Sequence, residues 1–290
     1  MNLRLKSALR PYWRAILRPL RLVRALFLGV ATVAVRGLPD RFWFVLRDRG
    51  QRVGTLDYYR FGPIRMRVDS WVEYEYRLRE AEKEPQTIAW IEALFKPGDV
   101  FYDIGANVGS YSLVAHRFCG GDLRVYSFEP GFVTYPQLCH NLDLNDVGNQ
   151  VVPLQVALEE HTGLANFHYQ NLHVGGALHA MDQPIDDHGE RFTPVSSRLT
   201  LCYRLDDFVQ QFELPAPNHV KIDVDGAELK VLRGAVETLK SPEVKSLVLE
   251  MYDDKPYCAS IGQLLSSYGF ALYGKERDNY LYRKGSGVNA

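Results

Sequence analysis

Cysteine is sparse in this chain. Cys119, Cys139, Cys202 and Cys258 are scattered through 290 residues with no C-x-x-C pair, which argues against a zinc knuckle and fits a reducing compartment. Acid is missing from the first 36 residues, although they carry eight Lys or Arg. The apolar run from Ala25 to Val35 has only eleven residues, short of the roughly twenty that a membrane-spanning helix needs. It matches the core of a signal peptide in length, but its basic lead is long and no A-x-A site follows. No internal repeat or low-complexity tract is present. The dinucleotide fingerprint G-x-G-x-x-G is also absent, so nothing marks a bare-backbone seat for a pyrophosphate.

Hydrophobic residues make up 46% of the chain, enough for one large α/β domain with an appendage. The formal charge of −1 conceals an uneven distribution, because without the basic N-terminus the remainder is about −9. Such a body is not expected to bind nucleic acid, which requires clustered positive charge. Residues 1–36 interleave Arg with Tyr12, Trp13, Ile16, Leu17, Leu20 and Leu22. That pattern suits an amphipathic helix in the interface of an anionic membrane, the alternatives being a helix packed on the acidic body or a frayed tail. The expected location is cytoplasmic, with peripheral contact at the inner membrane face. Residues 37–84 read as short strands or a hairpin forming a cap or lip, or equally a simple packing appendage, with Glu73 to Glu84 a solvated helix or linker. The main domain is expected over 85–290, starting with a helix at Pro85.

The most informative stretch is VFYDIGANVGSYS, Val100 to Ser112, followed by VYSFEP ending in Glu129 and Pro130. An apolar strand runs into Asp103, crosses a turn holding Gly105, Asn107 and Gly109, and enters a helix over Ser110 to Phe118. Strand, glycine turn and helix in this order build a nucleoside-binding crevice at the C-terminal edge of a parallel sheet. Glu129 ends the next strand, where a carboxylate can accept hydrogen bonds from a ribose diol. An acid at Asp103 repels an anion and tolerates a cationic cofactor, so S-adenosylmethionine fits better than a nicotinamide dinucleotide. A third strand is expected over Gln150 to Ala157, with Ala157 counted among the cofactor-binding positions. A further strand follows at Leu164 to Tyr169.

Five histidines crowd into 28 residues, His161, His168, His173, His179 and His188. They lack a ligand-like pair with a neighbouring acid, so a divalent metal is an option that the reading does not favour. The irregular stretch Gln170 to Ser197 instead suggests a substrate-facing lid. The second informative stretch is HVKIDVDGAELKVLRGA, His219 to Ala235, with a helix expected over Ala227 to Leu239. Val220, Ile222 and Val224 alternate with Lys221, Asp223 and Asp225, which puts three charges at the end of a strand. Lys221, Asp223 and Glu250 can meet beside the cofactor's methyl group or form a salt-bridge network holding the strands together. Ile261 to Tyr268 reads as a helix. FALYGK and NYLYRK then read as a terminal hairpin that inserts an antiparallel strand into the sheet.

DIGANVGSYS, FEP, LDDF, KIDVDGAELKVLRGA and LVLEM together resemble the FkbM family of S-adenosylmethionine-dependent methyltransferases over about Thr87 to Tyr282. The resemblance implies an α/β fold with a Rossmann-like, seven-stranded class I methyltransferase sheet, a C-terminal antiparallel hairpin and a small N-terminal extension. It places Asp103, Gly105, Asn107, Gly109 and Glu129 on cofactor-binding positions and Lys221, Asp223, Gly226 and Glu228 on a later motif. Asp225 departs from the family's usual Glu. The implied activity is O-methylation of a sugar, glycan or natural-product hydroxyl, by in-line transfer with a general base. Asp223 is the first candidate base and His173 the second; Lys221 and Glu250 complete the catalytic group. A binding protein on the same fold, recognising cofactor or glycan at a membrane without turnover, is the alternative. A nicotinamide oxidoreductase fits less well. The sequence leaves the acceptor and the oligomeric state open.

Overall fold

The computed structural model describes residues 52–58, 61–186, 189–252 and 257–285. The expectations for residues 1–36 lie outside this set, as does the part of the cap over 37–51. The chain opens with an antiparallel hairpin of β1 (Arg52–Tyr58) and β2 (Gly62–Val68). A single π-helical turn over Glu73–Arg77 and a short helical turn over Glu80–Lys83 lead to α1 (Pro85–Leu94). Pro85 occupies the first turn of α1, where its missing N–H costs nothing.

The βα alternation that follows gives β3 (Val100–Ile104), α2 (Ser110–Phe118), β4 (Arg124–Phe128), α3 (Tyr135–Leu144) and β5 (Val151–Leu154). Four strands then depart from the main sheet: β6 (Ala157–Leu158), β7 (Gly163–Tyr169), β8 (Ala180–Met181) and β9 (Ser196–Tyr203). The chain returns through α4 (Leu205–Gln211), β10 (His219–Ile222), α5 (Glu228–Arg233), α6 (Val236–Lys240) and β11 (Ser246–Glu250). It closes with α7 (Tyr257–Ser267), β12 (Phe270–Glu276) and β13 (Asn279–Lys284).

Seven strands form the main sheet in the order β12-β13-β11-β10-β3-β4-β5. The run from β11 to β5 is parallel, and β13 pairs antiparallel with both β11 and β12. This is the expected Rossmann-like sheet with its terminal hairpin. Adjacent residues of β3 face opposite layers. Phe101 packs with Trp90, Ile91 and Val114, whereas Tyr102 and Ile104 pack with Phe128, Ile222 and Leu249. Helices cover both faces, which is why the central strands read as nearly continuous apolar runs.

Three local departures from the sequence reading have physical causes. The third strand ends at Leu154, and Ala157 instead pairs with Cys202 in a second, four-stranded sheet ordered β6-β9-β7-β8. Most of the stretch 170–197 is irregular as expected, but Ser196 and Ser197 already belong to β9, paired along β7. The helix expected over Ala227 to Leu239 breaks at Gly234. A Cβ there would lie 2.1 Å from the carbonyl oxygen of Glu159, so backbone packs directly on backbone at that point. Asp206 then accepts the N–H groups of Glu237 and Thr238 at 3.1 and 2.8 Å, capping the second half as α6.

The hairpin is tied to the domain by amide side chains. Gln137, Asn141 and Asn145 stand at intervals of four along α3 and just past its end. Asn145 accepts the N–H of Arg65 at 3.0 Å and donates to its carbonyl at 2.7 Å. Asn141 accepts the N–H of Arg67 at 2.8 Å, and Gln137 donates to the Arg67 carbonyl at 2.8 Å. The helical period thus places three amides in one row against the backbone of β2.

Candidate active site

The C-terminal ends of β3, β4, β10 and β11 open onto a cavity of about 900 Å³. Strand order reverses between β3 and β10, and such a switch point leaves a crevice in the sheet edge. Gly105 begins the turn after β3 with φ +80, and a Cβ there would fall 1.8 Å from the carbonyl oxygen of Asp223. Glycine therefore lets the β3 turn lie against the end of β10. Asn107 also adopts a left-handed backbone, at φ 48. Its N–H donates to Glu129 Oε2 at 3.0 Å and its Nδ2 to the Gly176 carbonyl at 3.0 Å, while Oδ1 is buried with no hydrogen-bond partner. Glu129 Oε1 accepts the N–H of Gly131 at 2.7 Å. Burial outweighs these two donors and pushes the Glu129 carboxyl up to about 8.

The opposite wall is ionic in another way. Lys221 is 2% exposed, with Nζ 2.7 Å from Asp223 Oδ2 and 4.8 Å from the centroid of the Tyr111 ring. Burial works against its charge, but the carboxylates of Asp223, Asp103 and Glu84 hold it firmly protonated. Asp223 has 25% of its side chain exposed. Burial opposes its ionisation too, yet the Lys221 ammonium and a hydrogen bond from Glu250 hold it down to about 2. The Asp223 charge, joined by burial, drives Glu250 up to about 11, so this pair is a carboxylate bonded to a carboxylic acid. Asp225, at φ 53, accepts the Leu178 N–H at 2.7 Å and the His179 N–H at 3.4 Å. Burial and the neighbouring Asp223 push it up to about 7. Leu178 is itself left-handed at φ 65 and Asp182 at φ 62, so with Asn107 and Asp225 four non-glycine residues bordering the cavity hold strained backbone.

Gly105, Asn107, Glu129, Ala157, Lys221, Asp223 and Glu250 all border this one cavity. Asp103 and Gly109 do not. Asp103 is 1% exposed behind the wall, where it accepts the Ser112 hydroxyl at 2.6 Å. Gly109 caps the start of α2, and a Cβ there would lie 2.6 Å from Leu138 Cδ1, so it serves helix packing. His173 is a correction of a different kind: it is exposed and outside the cavity, because the turn from Asn171 to Gly176 folds back on itself. His179 borders the cavity in its place, and burial lowers it to about 4.

The charged stretch before α1 is also not the solvated segment expected. Glu73 is 2% exposed and accepts the N–H groups of Asp69 and Ser70 and the Gln137 amide, at 2.7, 2.9 and 2.6 Å. Arg77 and Glu84 border the cavity. Arg77 Nε donates to the Gly175 carbonyl at 2.9 Å, Ser70 Oγ to the Val174 carbonyl at 2.8 Å, and the Tyr111 hydroxyl to Glu84 at 2.7 Å. No local sequence period marks Arg77 or Glu84, because their partners lie on elements far along the chain.

The clustered histidines disperse. His168 contacts Ser197 Oγ at 2.7 Å, His161 contacts Cys202 Sγ at 3.5 Å, and His188 lies outside the described residues. Among the described residues no group of three or more His, Cys, Asp or Glu is arranged to hold a metal ion. No described helix is long and apolar enough to cross a membrane.

A family model described as the methyltransferase FkbM domain matches residues 103–272. The chain is 27% identical over 213 residues to the hexuronic acid methyltransferase AglP of Haloferax volcanii, covering 73% of this chain and 80% of that protein. It is 28% identical over 205 residues to the 31-O-demethyl-FK506 methyltransferase FkbM of Streptomyces tacrolimicus, covering 62% and 76%. Among solved structures, a methyltransferase FkbM from Methylobacillus flagellatus KT aligns with a TM-score of 0.43 and 19% identity, over 66% of this chain and 44% of that one.

Proposed function

The chain belongs to the FkbM methyltransferase family, and from that premise we propose that it transfers a methyl group from S-adenosylmethionine to a hydroxyl of a sugar, glycan or natural-product acceptor. The observation that carries this reading is that the glycine turn, Glu129 and the Asp223–Glu250 pair border a single cavity. Its donor set suits the cofactor: Glu129 for the ribose diol, the buried Oδ1 of Asn107 as an orphaned acceptor, and an acidic wall beside a cation. Ala157 and Leu158 supply apolar edge surface for a flat base. When bound, S-adenosylmethionine supplies an electrophilic methyl carbon on a sulfonium.

The protein's own task is to hold the acceptor oxygen in line, exclude water and take one proton. Asp223 is the base. Lys221 keeps it ionised and fixed, and the Glu250 hydroxyl occupies one of its lone pairs. A low basicity is no obstacle, since an alcohol oxygen becomes strongly acidic as its new carbon bond forms. The FK506 methyltransferase and the hexuronic acid enzyme are named for a natural product and a sugar acid, which supports a hydroxylated acceptor of one of these classes. Calorimetric titration with S-adenosylmethionine, S-adenosylhomocysteine and NAD tests the reading. Micromolar binding of the first two alone is expected, and folded protein that binds neither sulfur compound overturns it.

The location we propose is the cytoplasmic face of an anionic membrane, with residues 1–36 touching lipid. The eight basic residues and missing acid of the N-terminus support this contact. Deleting residues 1–36 is expected to release the protein from anionic vesicles and leave cofactor affinity unchanged; undiminished vesicle binding refutes the contact.

A further inference from the structure

S-adenosylmethionine ends in a zwitterion, and its carboxylate calls for a cation on a wall that carries Glu84, Glu129, Asp223, Asp225 and Glu250. Among the described residues three cations border the cavity, Arg77, Lys221 and Lys230. Lys221 is almost wholly buried and joined to Asp223. Lys230 lies beside the second sheet, its Nζ held between Glu159 Oε1 at 2.8 Å and Asp182 Oδ2 at 3.0 Å. Arg77 lies at the glycine turn. Its carbonyl accepts the hydroxyl of Ser110, the first residue of α2, at 3.5 Å. Its Nε holds the Gly175 carbonyl at 2.9 Å, and a Cβ on Gly175 would lie 2.9 Å from Glu73 Cγ and 3.2 Å from Arg77 Cγ. The Arg77 charge acts on Glu129 on one side of the turn and on Asp223 and Asp225 on the other. Arg77 borders the cavity together with Gly105, Asn107 and Gly176.

Resting on the cofactor reading above, we propose that Arg77, contributed by the lip outside the matched family segment, anchors the cofactor's α-carboxylate through its guanidinium. A planar fork matches a carboxylate in both geometry and charge. The bond to Gly175 sets the side chain in place before the cofactor arrives. The inference makes the lip a part of the binding site, so a chain trimmed to residues 103–272 would lack one of its ligand contacts.

The test is calorimetry on the full chain with two probes, S-adenosylmethionine and its decarboxylated analogue, which keeps the sulfonium and the ammonium but has no carboxylate. Wild type is expected to prefer the carboxylate-bearing compound. Arg77→Gln is expected to weaken S-adenosylmethionine about 30-fold, within the range of a lost charge-assisted pair, and to change the analogue by less than threefold. Arg77→Lys should recover part of the affinity for S-adenosylmethionine only. Equal losses for both probes would mean that Arg77 merely props the Gly175 loop, and no loss for either would put its charge to work on the acceptor instead; both results overturn the assignment. Wild type that binds neither probe would instead remove the cofactor reading on which the inference stands.

Discussion

The two ends of the central strands carry polar networks of similar make-up and opposite fate. At the N-terminal end, Trp90 Nε1 meets Ser246 Oγ at 2.8 Å, Ser246 Oγ meets His219 Nδ1 at 2.8 Å, and His219 Nε2 meets Asp99 Oδ2 at 3.1 Å. Indole is only a donor, so Ser246 accepts from Trp90 and gives its own proton to Nδ1, which leaves the ring proton on Nε2 facing Asp99. Serine, histidine and aspartate thus line up as in a hydrolase. Yet Ser246 and His219 have no exposed surface, the ring stacks on Phe95 at 4.0 Å, and Lys245 closes the far side of Asp99 at 2.6 Å. At the other end of the same three strands, Asp103, Asp223 and Glu250 surround Lys221, and this network opens to a cavity. Residue types do not separate a structural network from a chemical one; access and an unequal share of protons do.

The largest expected effect breaks the open end. Asp223→Asn should lower turnover by about 10²- to 10⁴-fold, the usual worth of a positioned base, with S-adenosylhomocysteine affinity kept within twofold in calorimetry. Matching losses in binding and turnover would make Asp223 a structural residue like His219. At the closed end, His219→Ala should cost about 2–4 kcal/mol of stability in urea unfolding, through a cavity and lost buried hydrogen bonds. Turnover per folded molecule should stay unchanged, and a selective loss of turnover would erase the distinction between the two ends.

Glu129→Ala comes next, weakening cofactor binding by about 1–3 kcal/mol. The smallest effect is a slope with pH. Glu129, Asp225 and Glu228 all titrate above their ordinary values, near 8, 7 and 7. The folded state therefore holds protons that the unfolded state has already lost, and stability falls as pH rises through these values. Asp99 is held down to about 2, so its contribution is complete above its ordinary range and disappears only in strong acid. His116, His179 and His219 are lowered by burial and act below about 6.5. Between pH 6.5 and 8 these raised carboxyls set the sign, and the urea midpoint of the cofactor-free protein should drop. Glu129→Gln should flatten that drop, whereas Asp99→Asn should lower stability at both pH values without changing the slope.

What could be read in the sequence was whatever depends on neighbours along the chain. The strand ending in Asp103, the helix from Ser110 to Phe118, the terminal hairpin and the Gly105 turn are short-range patterns, and the structure contains each of them. Ala157 reads from the sequence as part of the third strand, because a strand of two residues paired with Cys202 leaves no local period. Arg77 and Glu84 were hidden for the same reason. Their stretch is dense in charge, a composition that reads as solvated, and only contacts with Gly175 and Tyr111 draw them to the cavity. His173 and His179 differ in nothing the sequence displays, and the fold of one turn decides which of them meets the site.

The row of amides on α3 has a consequence for how this domain behaves in a crowded solution. A strand at the margin of a hairpin ordinarily offers its backbone to any passing strand, which is how sheets grow between molecules. Here Gln137, Asn141 and Asn145 already occupy the N–H and carbonyl groups of Arg65 and Arg67. The helix acts as a surrogate strand, so that margin is closed to templated growth. On β2 the three amides recognise only the backbone of Arg65 and Arg67, while the alternate residues Ile64 and Met66 point the other way and are buried in the core.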